Sequence, residues 1–364
     1  MFNTSGSFVP PHCPRTDCAF HRCSLGWRFT RHGSFTRQAS PRRIPRFRCG
    51  HCGHTFSSQT FHITYWLRRP ELLLPVAHGL LACSGYRQIT RDKGCRLPTV
   101  MRLAARIGRH ALLLLWDLRP RKPIQEPVVV DGFESFAFSQ YHPLYLNLVV
   151  GESHYCYAFT LSQLRRKGRM TAQQRRRRAR LEARHGRPDP RAIERDTAAA
   201  LRIAAPEPQH LVVRSDEHTA YPRALRRLEG YTIHHERTSS LEARTAGNPL
   251  FPANRLDGSL RHNGANHKRE TLAFSKLHQS VIERAAWLIV WQNLAKPFSE
   301  RHGGPTPAMR AGLQHRPLSV AELLSARRFP ARVELPAEWA RSYRGEVRTA
   351  PVRNQRRHSL KLAF

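Results

Sequence analysis

The sequence has few acidic residues for its length. Asp and Glu together number 26 in 364 residues, against 61 Lys and Arg, so the formal net charge is +35. Lysine is rare as well, because 54 of the basic residues are Arg and 7 are Lys. A chain so short of carboxylates repels itself unless an anion neutralises it. This charge balance disfavours an enzyme whose substrate is a small acid, and it favours nucleic acid as the partner.

Long apolar runs and a secretory signal are also missing. No apolar stretch approaches the roughly 18 residues of a membrane span, and the opening MFNTSGSFVPPHCP lacks the basic start and apolar middle of a signal peptide. With 40% apolar residues and 17 Phe, the chain can still bury a core. We therefore expect no membrane partner and a cytoplasmic, nucleoid-associated protein with two or three domains.

Cysteine is sparse but clustered near the N-terminus. Five of the 8 Cys precede position 53, which favours a metal site over a disulfide framework. Two pairs of thiolates on two short knuckles can hold Zn²⁺ in a tetrahedron, and the paired residues are Cys13, Cys18, Cys49 and Cys52. The pattern predicts a zinc ribbon over residues 1–62 with a hairpin at 29–47. His21 and Cys23 are spare candidate ligands.

Residues 63–120 show helical periodicity. A short apolar segment, a break at residues 84–86, a short polar segment and a longer segment from Thr99 form the outline of a helix-turn-helix. Three arginines recur along one side of the longer segment and are predicted to contact DNA: Arg102, Arg106 and Arg109. The alternative is a plain helical bundle that links two domains.

From residue 124 the pattern changes to β-branched runs and helices. We predict an α/β catalytic domain over residues 124–300, in which helices cover a mixed sheet. Two of its strand signals end in an acid, Asp131 and Asp216. Burying a carboxylate is costly unless a cation meets it, and two such acids on neighbouring strands could hold Mg²⁺. The alternative is that both side chains only cap turns.

Two further segments of this sequence are strongly basic. Residues 165–184 contain ten basic residues and one acid, and we predict a basic insertion at 165–190, between a strand and a helix, that reaches along DNA phosphates. Residues 314–364 are rich in Arg and Pro and predict a loosely ordered basic tail with one short helical stretch.

The region after residue 251 offers a third metal ligand. On a helix, Asn254, Asp257 and Arg261 share one face, so they could complete a metal site and hold a strand of substrate. Glu270 is the rival third acid. The neighbouring basic residues are predicted to contact DNA, and they are Lys268, Arg269 and Lys276.

Taken in order, these motifs resemble insertion-sequence transposases that carry a zinc ribbon, a helix-turn-helix and an acidic-triad catalytic domain of the ribonuclease-H-like class. The likeness covers roughly residues 13–297 and is carried by five motifs: Cys-Pro-x3-Cys at 13–18, Cys-x2-Cys-Gly at 49–53, Val-Val-Val-Asp at 128–131, Arg-Ser-Asp at 214–216, and Asn-His-Lys-Arg-Glu-Thr from 266. The resemblance implies that Asp131 and Asp216 are the first two acidic ligands. The third position, a glutamate in some members and an asparagine in others, falls on Asn254, with Arg261 at the family's basic place.

The resemblance implies a DNA transposase. Such a protein would bind the ends of its mobile element as a homo-oligomer and would cut and join double-stranded DNA with Mg²⁺ or Mn²⁺. Two alternatives stay open: a zinc-ribbon DNA-binding regulator without chemistry, and a decayed transposase that binds but does not cut. The paired acids argue against the regulator, whereas the absence of a glutamate at the third position keeps the decayed transposase open.

Overall fold

A computed structural model of the chain describes residues 8–239, 241–353 and 355. Its strands are β1 (Phe29–Thr36), β2 (Arg43–Cys49), β3 (Thr55–Ser57), β4 (Val128–Phe136), β5 (Pro143–Gly151), β6 (Cys156–Gln163), β7 (His210–Ser215) and β8 (Thr232–Arg237). Its helices are α1 (Leu73–Leu81), α2 (Tyr86–Asp92), α3 (Leu97–Asp117), α4 (Ala172–His185), α5 (Ala192–Ala204), α6 (Ala220–Leu225), α7 (Phe251–Asn263), α8 (His278–Leu294), α9 (Pro307–Arg310), α10 (Val320–Leu323), α11 (Pro330–Val333) and α12 (Ala337–Tyr343). Short 3₁₀ turns lie at Ala19–His21, Ser58–Phe61 and Pro70–Leu72.

The first sheet is small and antiparallel, in the order β1-β2-β3. β1 and β2 pair from Phe29 opposite Cys49 to Thr36 opposite Arg43, which confirms the hairpin expected between the two cysteine pairs. Its core is aromatic, and Phe47, Phe56 and Phe61 pack there with the buried cysteines. The core of this sheet contains few apolar residues. Small domains with such a core usually need disulfides or a bound metal for their stability.

The second sheet has five strands in the order β6-β5-β4-β7-β8. β4, β5 and β6 are antiparallel neighbours, whereas β7 and β8 run parallel to β4. The continuous apolar runs in β4 and β5 are buried, as expected for strands covered on both faces. A mixed α/β sheet flanked by helices was predicted, and it is present.

Helix α3 is a core helix that packs against α8. Fourteen of its 21 residues are buried, and Gly108 lets the two backbones approach, since a Cβ there would lie 2.4 Å from the carbonyl oxygen of Glu283. One hydrophobic core runs from Ile63 through the large sheet to Trp339. The helices of residues 63–120 therefore share their core with the sheet. None of the helices in the described ranges is long and apolar enough to cross a bilayer.

The prediction that Arg106 and Arg109 contact DNA is wrong, because both side chains are buried. Arg106 donates to the carbonyl oxygens of Ile63 and Tyr65 at 2.6 and 2.7 Å, and Arg109 pairs with a glutamate of α8. Only Arg102, in the exposed first part of α3, is open to solvent. The helix-turn-helix hypothesis can therefore apply only to α2 and the beginning of α3.

Two basic segments are more ordered than the sequence indicated. The insertion forms the helix α4, which has no buried residue and is capped by Thr171, whose hydroxyl accepts from the amide of Gln174. The segment from 314 is not a loose tail over its described part, since it folds into α10, α11 and α12. Trp339 of α12 is buried and donates from Nε1 to the carbonyl oxygen of Phe159 at 2.9 Å. The end of the predicted tail, residues 356–364, lies outside the described residues.

Candidate active site and metal centre

The four predicted cysteine ligands meet in space. The sulfur atoms of Cys13, Cys18, Cys49 and Cys52 lie within 4.8 Å of one another. Sulfur atoms roughly 2.3 Å from a tetrahedral zinc ion would be about 3.8 Å apart, and the Sγ atoms of Cys13 and Cys52 are 3.6 Å apart. The donor set and its spacing therefore fit Zn²⁺, and this group could bind it.

Neighbouring groups already favour the thiolate form at one of these positions. Burial raises the pKa of Cys49, but the amides of Cys52 and His51 and the indole of Trp27 outweigh it and lower the pKa to about 6. Trp27 donates from Nε1 to Cys49 Sγ at 3.3 Å. Gly53 closes the second knuckle at φ +69°, a conformation that glycine adopts without strain.

The two spare ligands lie outside this cluster. Cys23 is exposed. His21 is buried, but its Nδ1 lies 2.9 Å from the carbonyl oxygen of Cys13 rather than near the sulfur atoms. A closer rival is His51, whose Nδ1 lies 3.8 Å from Cys18 Sγ.

Asp131 lies in β4 and Asp216 lies directly after β7, and these two strands are parallel neighbours in the large sheet. Asp216 directly follows β7, as predicted, but Asp131 is not strand-terminal, because β4 continues to Phe136 through its pairing with β5. Between β4 and β7 the register places Val128 opposite Val213 and Val129 opposite Arg214. Two residues further on, the same register sets Asp131 level with Asp216.

The helix α7 brings a third carboxylate to this edge of the sheet. Asn254, Asp257 and Arg261 line the same cavity as the two strand acids, so the face predicted from their spacing is present. Arg261 fastens α7 to β4, since its guanidinium lies 4.5 Å from the ring centroid of Phe133 and donates to the carbonyl oxygen of Glu134 at 3.2 Å. We call Asp131, Asp216 and Asp257 the acid cluster.

The cavity that holds the acid cluster has a lining of mixed charge, with four further acidic side chains: Glu134, Asp189, Glu194 and Glu242. Its volume is about 910 Å³, and eight basic side chains line it: Arg165, Arg166, Lys167, Arg187, Arg223, Arg244, Arg261 and Arg269. Six of the eight lie in the predicted basic insertion or were named in the segment after residue 251, whereas Arg223 and Arg244 were not singled out from the sequence. Together the eight come from six different loops and helices. The basic members of this lining could contact an anionic ligand.

The acid cluster is electrostatically strained. Burial and the negative charge of Asp216 raise the pKa of Asp131 to about 6, although the amide of Gly132 donates to its Oδ1 at 2.7 Å. Burial and the charge of Asp131 raise the pKa of Asp257 well above its usual range, and Arg261 opposes this rise. Perturbed carboxyl groups in a cleft are typical of functional sites.

The donors of the acid cluster suit a hard divalent cation. Carboxylate oxygens are the ligands that Mg²⁺ prefers, and Asp257 Oδ1 is buried with no hydrogen-bond partner among the described residues. A cation would satisfy that oxygen and remove the mutual repulsion. The cluster is more open than the cysteine group, because within the described ranges only the cysteines bring three or more ligand atoms within 4.8 Å.

Of the predicted site residues that follow α7, only one lines the cavity. Glu270, the rival third acid, is exposed in a loop and does not line the cavity. Arg269 lines the cavity, whereas Lys268 and Lys276 are exposed outside it and remain predicted DNA contacts.

Two tyrosines were missed. Tyr145 of β5 lines the cavity, and its hydroxyl lies 3.0 Å from that of Tyr221 in α6. The signal in the sequence was Gly132, because a glycine inside a buried strand marks close approach by another group.

Comparison with known proteins adds little to this geometry. No protein-family model and no curated protein matches the chain. One solved structure that aligns with it is described as a cryo-EM structure of the simian T-cell lymphotropic virus intasome in complex with PP2A regulatory subunit B56 gamma. The alignment has 12% sequence identity, covers 67% of this chain and 74% of that chain, and has a TM-score of 0.24. A similarity at this TM-score carries no argument about fold or function.

Proposed function

We propose that the chain is a DNA transposase with a ribonuclease-H-like catalytic domain. It would bind the ends of its mobile element as a homo-oligomer and catalyse divalent-metal-dependent cleavage and transfer of DNA strands. The observation that carries the proposal is the acid cluster, in which three carboxylates, one in β4, one directly after β7 and one in α7, line one cavity together with eight basic side chains. The five-stranded mixed sheet flanked by helices agrees with the fold that the resemblance implies.

Asp131, Asp216 and Asp257 are the residues that would hold Mg²⁺ or Mn²⁺. A metal bound there would stabilise the charge that develops on the attacking and leaving oxygens of a phosphodiester. Cleavage transfers the phosphorus from a DNA oxygen to water, and joining transfers it from the target strand to the freed 3′-hydroxyl group. Arg261 and Arg244 stand near the carboxylates and would position the phosphate.

DNA outside the cavity would be held by exposed positive charge. The candidates are α4, the beginning of α3 with Arg102, and the exposed residues Lys268 and Lys276. These contacts would supply affinity by phosphate neutralisation rather than by reading sequence. The proposal also includes Zn²⁺ bound to the four clustered cysteines and association of the protein with the nucleoid.

The test is strand cleavage by purified protein on DNA that carries the element ends. We expect nicking with Mg²⁺ or Mn²⁺, and no nicking by Asp131→Asn or Asp216→Asn, because each substitution removes a carboxylate from the acid cluster. Both variants should retain DNA binding in a gel-shift assay, since the exposed basic surface is unchanged. Glu270→Gln is the matched control and should cut normally.

Binding without any cleavage by the wild-type protein would favour the regulator or the decayed transposase. Cleavage at more than a few percent of the wild-type rate in both aspartate variants would instead move the active site elsewhere.

A further inference from the structure

A second, smaller cavity adjoins the one that holds the acid cluster. Its volume is about 110 Å³, and it is lined by the turn between β4 and β5 (Tyr141 and His142), the end of β6 and helix α4. The two cavities share part of their lining, because Arg165, Arg166 and Arg187 belong to both. A cavity of this volume has room for several water molecules or for one small oxyanion such as phosphate. We call it the side cavity.

Positive charge predominates in the side cavity. Four arginines and two histidines line it, and among the described residues its one carboxylate is that of Glu182. Arg165 already binds this carboxylate with two hydrogen bonds, at 2.8 and 3.0 Å. Arg178 Nε lies 3.4 Å from the same group. One negative charge therefore faces four positive ones, and the excess favours an anionic ligand.

Three nitrogen atoms of the lining residues are buried without an acceptor. Within the described ranges, Arg166 Nη1, Arg178 Nε and His142 Nε2 have no hydrogen-bond partner. Buried polar groups in native proteins nearly always have one, which can be a bound ion or water. Guanidinium nitrogens only donate, and a water molecule needs acceptors for its own protons as well. A group of unpaired donors therefore favours an anion over water.

Arg166 is held in place by contacts that leave its N–H groups free. Its guanidinium carbon lies 4.8 Å from the ring centroid of the buried Tyr141. Arg178 donates from Nη1 to the backbone carbonyl oxygen of Arg166 at 2.9 Å, which joins α4 to the start of the insertion. A guanidinium group stacked on a ring keeps its donors in its own plane, where they suit the oxygens of a phosphate.

We propose that the side cavity binds a phosphate group of the DNA backbone through Arg166, Arg178 and His142. The choice of DNA as the source of the phosphate rests on the proposed function. A strand that is bound at the acid cluster has further phosphates on either side, and the shared arginines connect the two cavities. The contact fixes the path of the strand without reading its sequence. A free phosphate ion has the same chemistry and is the alternative source.

The first test is DNA binding by the full-length, zinc-loaded protein without divalent metal. Fluorescence anisotropy with a short duplex is measured in about 0.1 M NaCl, because phosphate contacts depend on salt. Arg166→Gln should weaken binding about 10-fold, since it removes charge-assisted hydrogen bonds. Arg178→Gln should act in the same direction, and Arg178 lines the side cavity but not the cavity of the acid cluster. Arg226, an exposed arginine that lines neither cavity, provides the matched control Arg226→Gln, which should bind like the wild type.

The second test replaces DNA with inorganic phosphate. The melting temperature is measured in phosphate and in chloride at equal ionic strength. Phosphate should stabilise the wild type and Arg226→Gln, because a ligand that binds the folded state raises its stability. This stabilisation should be lost in Arg166→Gln and Arg178→Gln.

Two results would overturn the proposal. If both variants match the control in both tests, the side cavity is not an anion site. If both lose the response to phosphate but bind DNA like the control, the site holds a free anion and not the DNA backbone. Should Arg166→Gln fail to fold, as judged by its zinc content and circular dichroism, Arg178→Gln decides alone. Neither test needs cleavage, so a protein that behaves as expected in both but never nicks DNA would refute the proposed function and retain the phosphate site.

Discussion

Arg109 and Glu283 form a buried ion pair that joins helix α3 to helix α8. Arg109 Nε donates to Glu283 Oε1 at 2.9 Å, and the two side chains are 5% and 4% exposed. Gln279 donates from Nε2 to the same carboxylate oxygen at 2.9 Å. The pair fixes helices that come from distant parts of the sequence, and it explains why an arginine at helical spacing in a basic chain is not a DNA contact.

We expect Arg109→Ala to destabilise the protein by about 3–5 kcal/mol, because it leaves the Glu283 carboxylate buried without a counter-charge. Urea unfolding measures the loss. Adding Glu283→Gln should restore part of it, since the orphaned charge is then removed. Arg102→Ala should change stability by less than about 0.5 kcal/mol, because that side chain is exposed. An Arg109→Ala protein that is as stable as the wild type but binds DNA poorly would restore the rejected DNA contact.

The cysteine cluster is expected to hold one Zn²⁺ in the natively purified, reduced protein. Serine at any of the four positions should lose the metal and unfold the ribbon, because small metal modules draw most of their stability from the ion. Metal analysis and the loss of zinc to a chelator provide the measurement, and Cys23→Ser is the matched control. Full zinc retention in Cys18→Ser would show that His51 can take its place.

The third acid is expected to be Asp257, and not Glu270. Asp257→Ala removes a carboxylate that lines the cavity, so cleavage should fall to background in a protein that still folds. Glu270→Ala changes an exposed loop residue and should cut normally. If the opposite pair of results is found, the assignment of the third position is wrong. If both variants cut, Asn254 becomes the candidate, and Asn254→Ala decides.

The pKa of Asp131 predicts a pH dependence of stability in protein without added divalent metal. This pKa is about 6 in the folded state against a usual value of 3.8, so between these values the folded chain binds more protons than the unfolded chain. The stability contributed by the protonated Asp131 carboxyl is therefore fully present below about pH 4 and is lost as the pH rises through about 6. The loss is on the order of 2–3 kcal/mol.

The check is the difference in unfolding free energy between wild-type protein and Asp131→Asn from pH 4.5 to 8. We expect the asparagine variant to become more stable relative to the wild type as the pH rises, because an amide cannot ionise and so develops no buried negative charge. Mn²⁺ binding to the wild type should weaken below pH 6, since protonation competes with the metal. A difference that is constant with pH would contradict the raised pKa.

Local patterns in the sequence predicted the parts of the site that local spacing determines. The cysteine pairs, the strand that precedes Asp216, and the shared face of Asn254, Asp257 and Arg261 all depend on residues a few positions apart. The hairpin of the small sheet follows from the same kind of signal. These elements are present where they were expected.

The features that the sequence patterns did not predict depend on packing between distant parts of the chain. Arg106 and Arg109 have the spacing of a DNA-contacting face. Only the packing of α8 and residues 63–65 against that face shows that it is buried. Tyr145 meets Tyr221 across 76 positions of sequence, and no periodicity relates them. The strand β4 runs past Asp131 because β5 continues to pair with it, which a strand signal ending in an acid did not reveal.

The path of the C-terminal segment has a consequence for the order of assembly. Phe329 is buried in the aromatic core of the small sheet, and Arg332 donates to the carbonyl oxygen of His21. Glu334 pairs with Arg22 at 2.6 Å. The core of the small sheet is therefore complete only when residues 329–334, some 300 positions later in the chain, have been synthesised. A chain cut short before Phe329 would lack the ring that packs against His12, His21 and Phe61, and this side of the aromatic core would be left open to water.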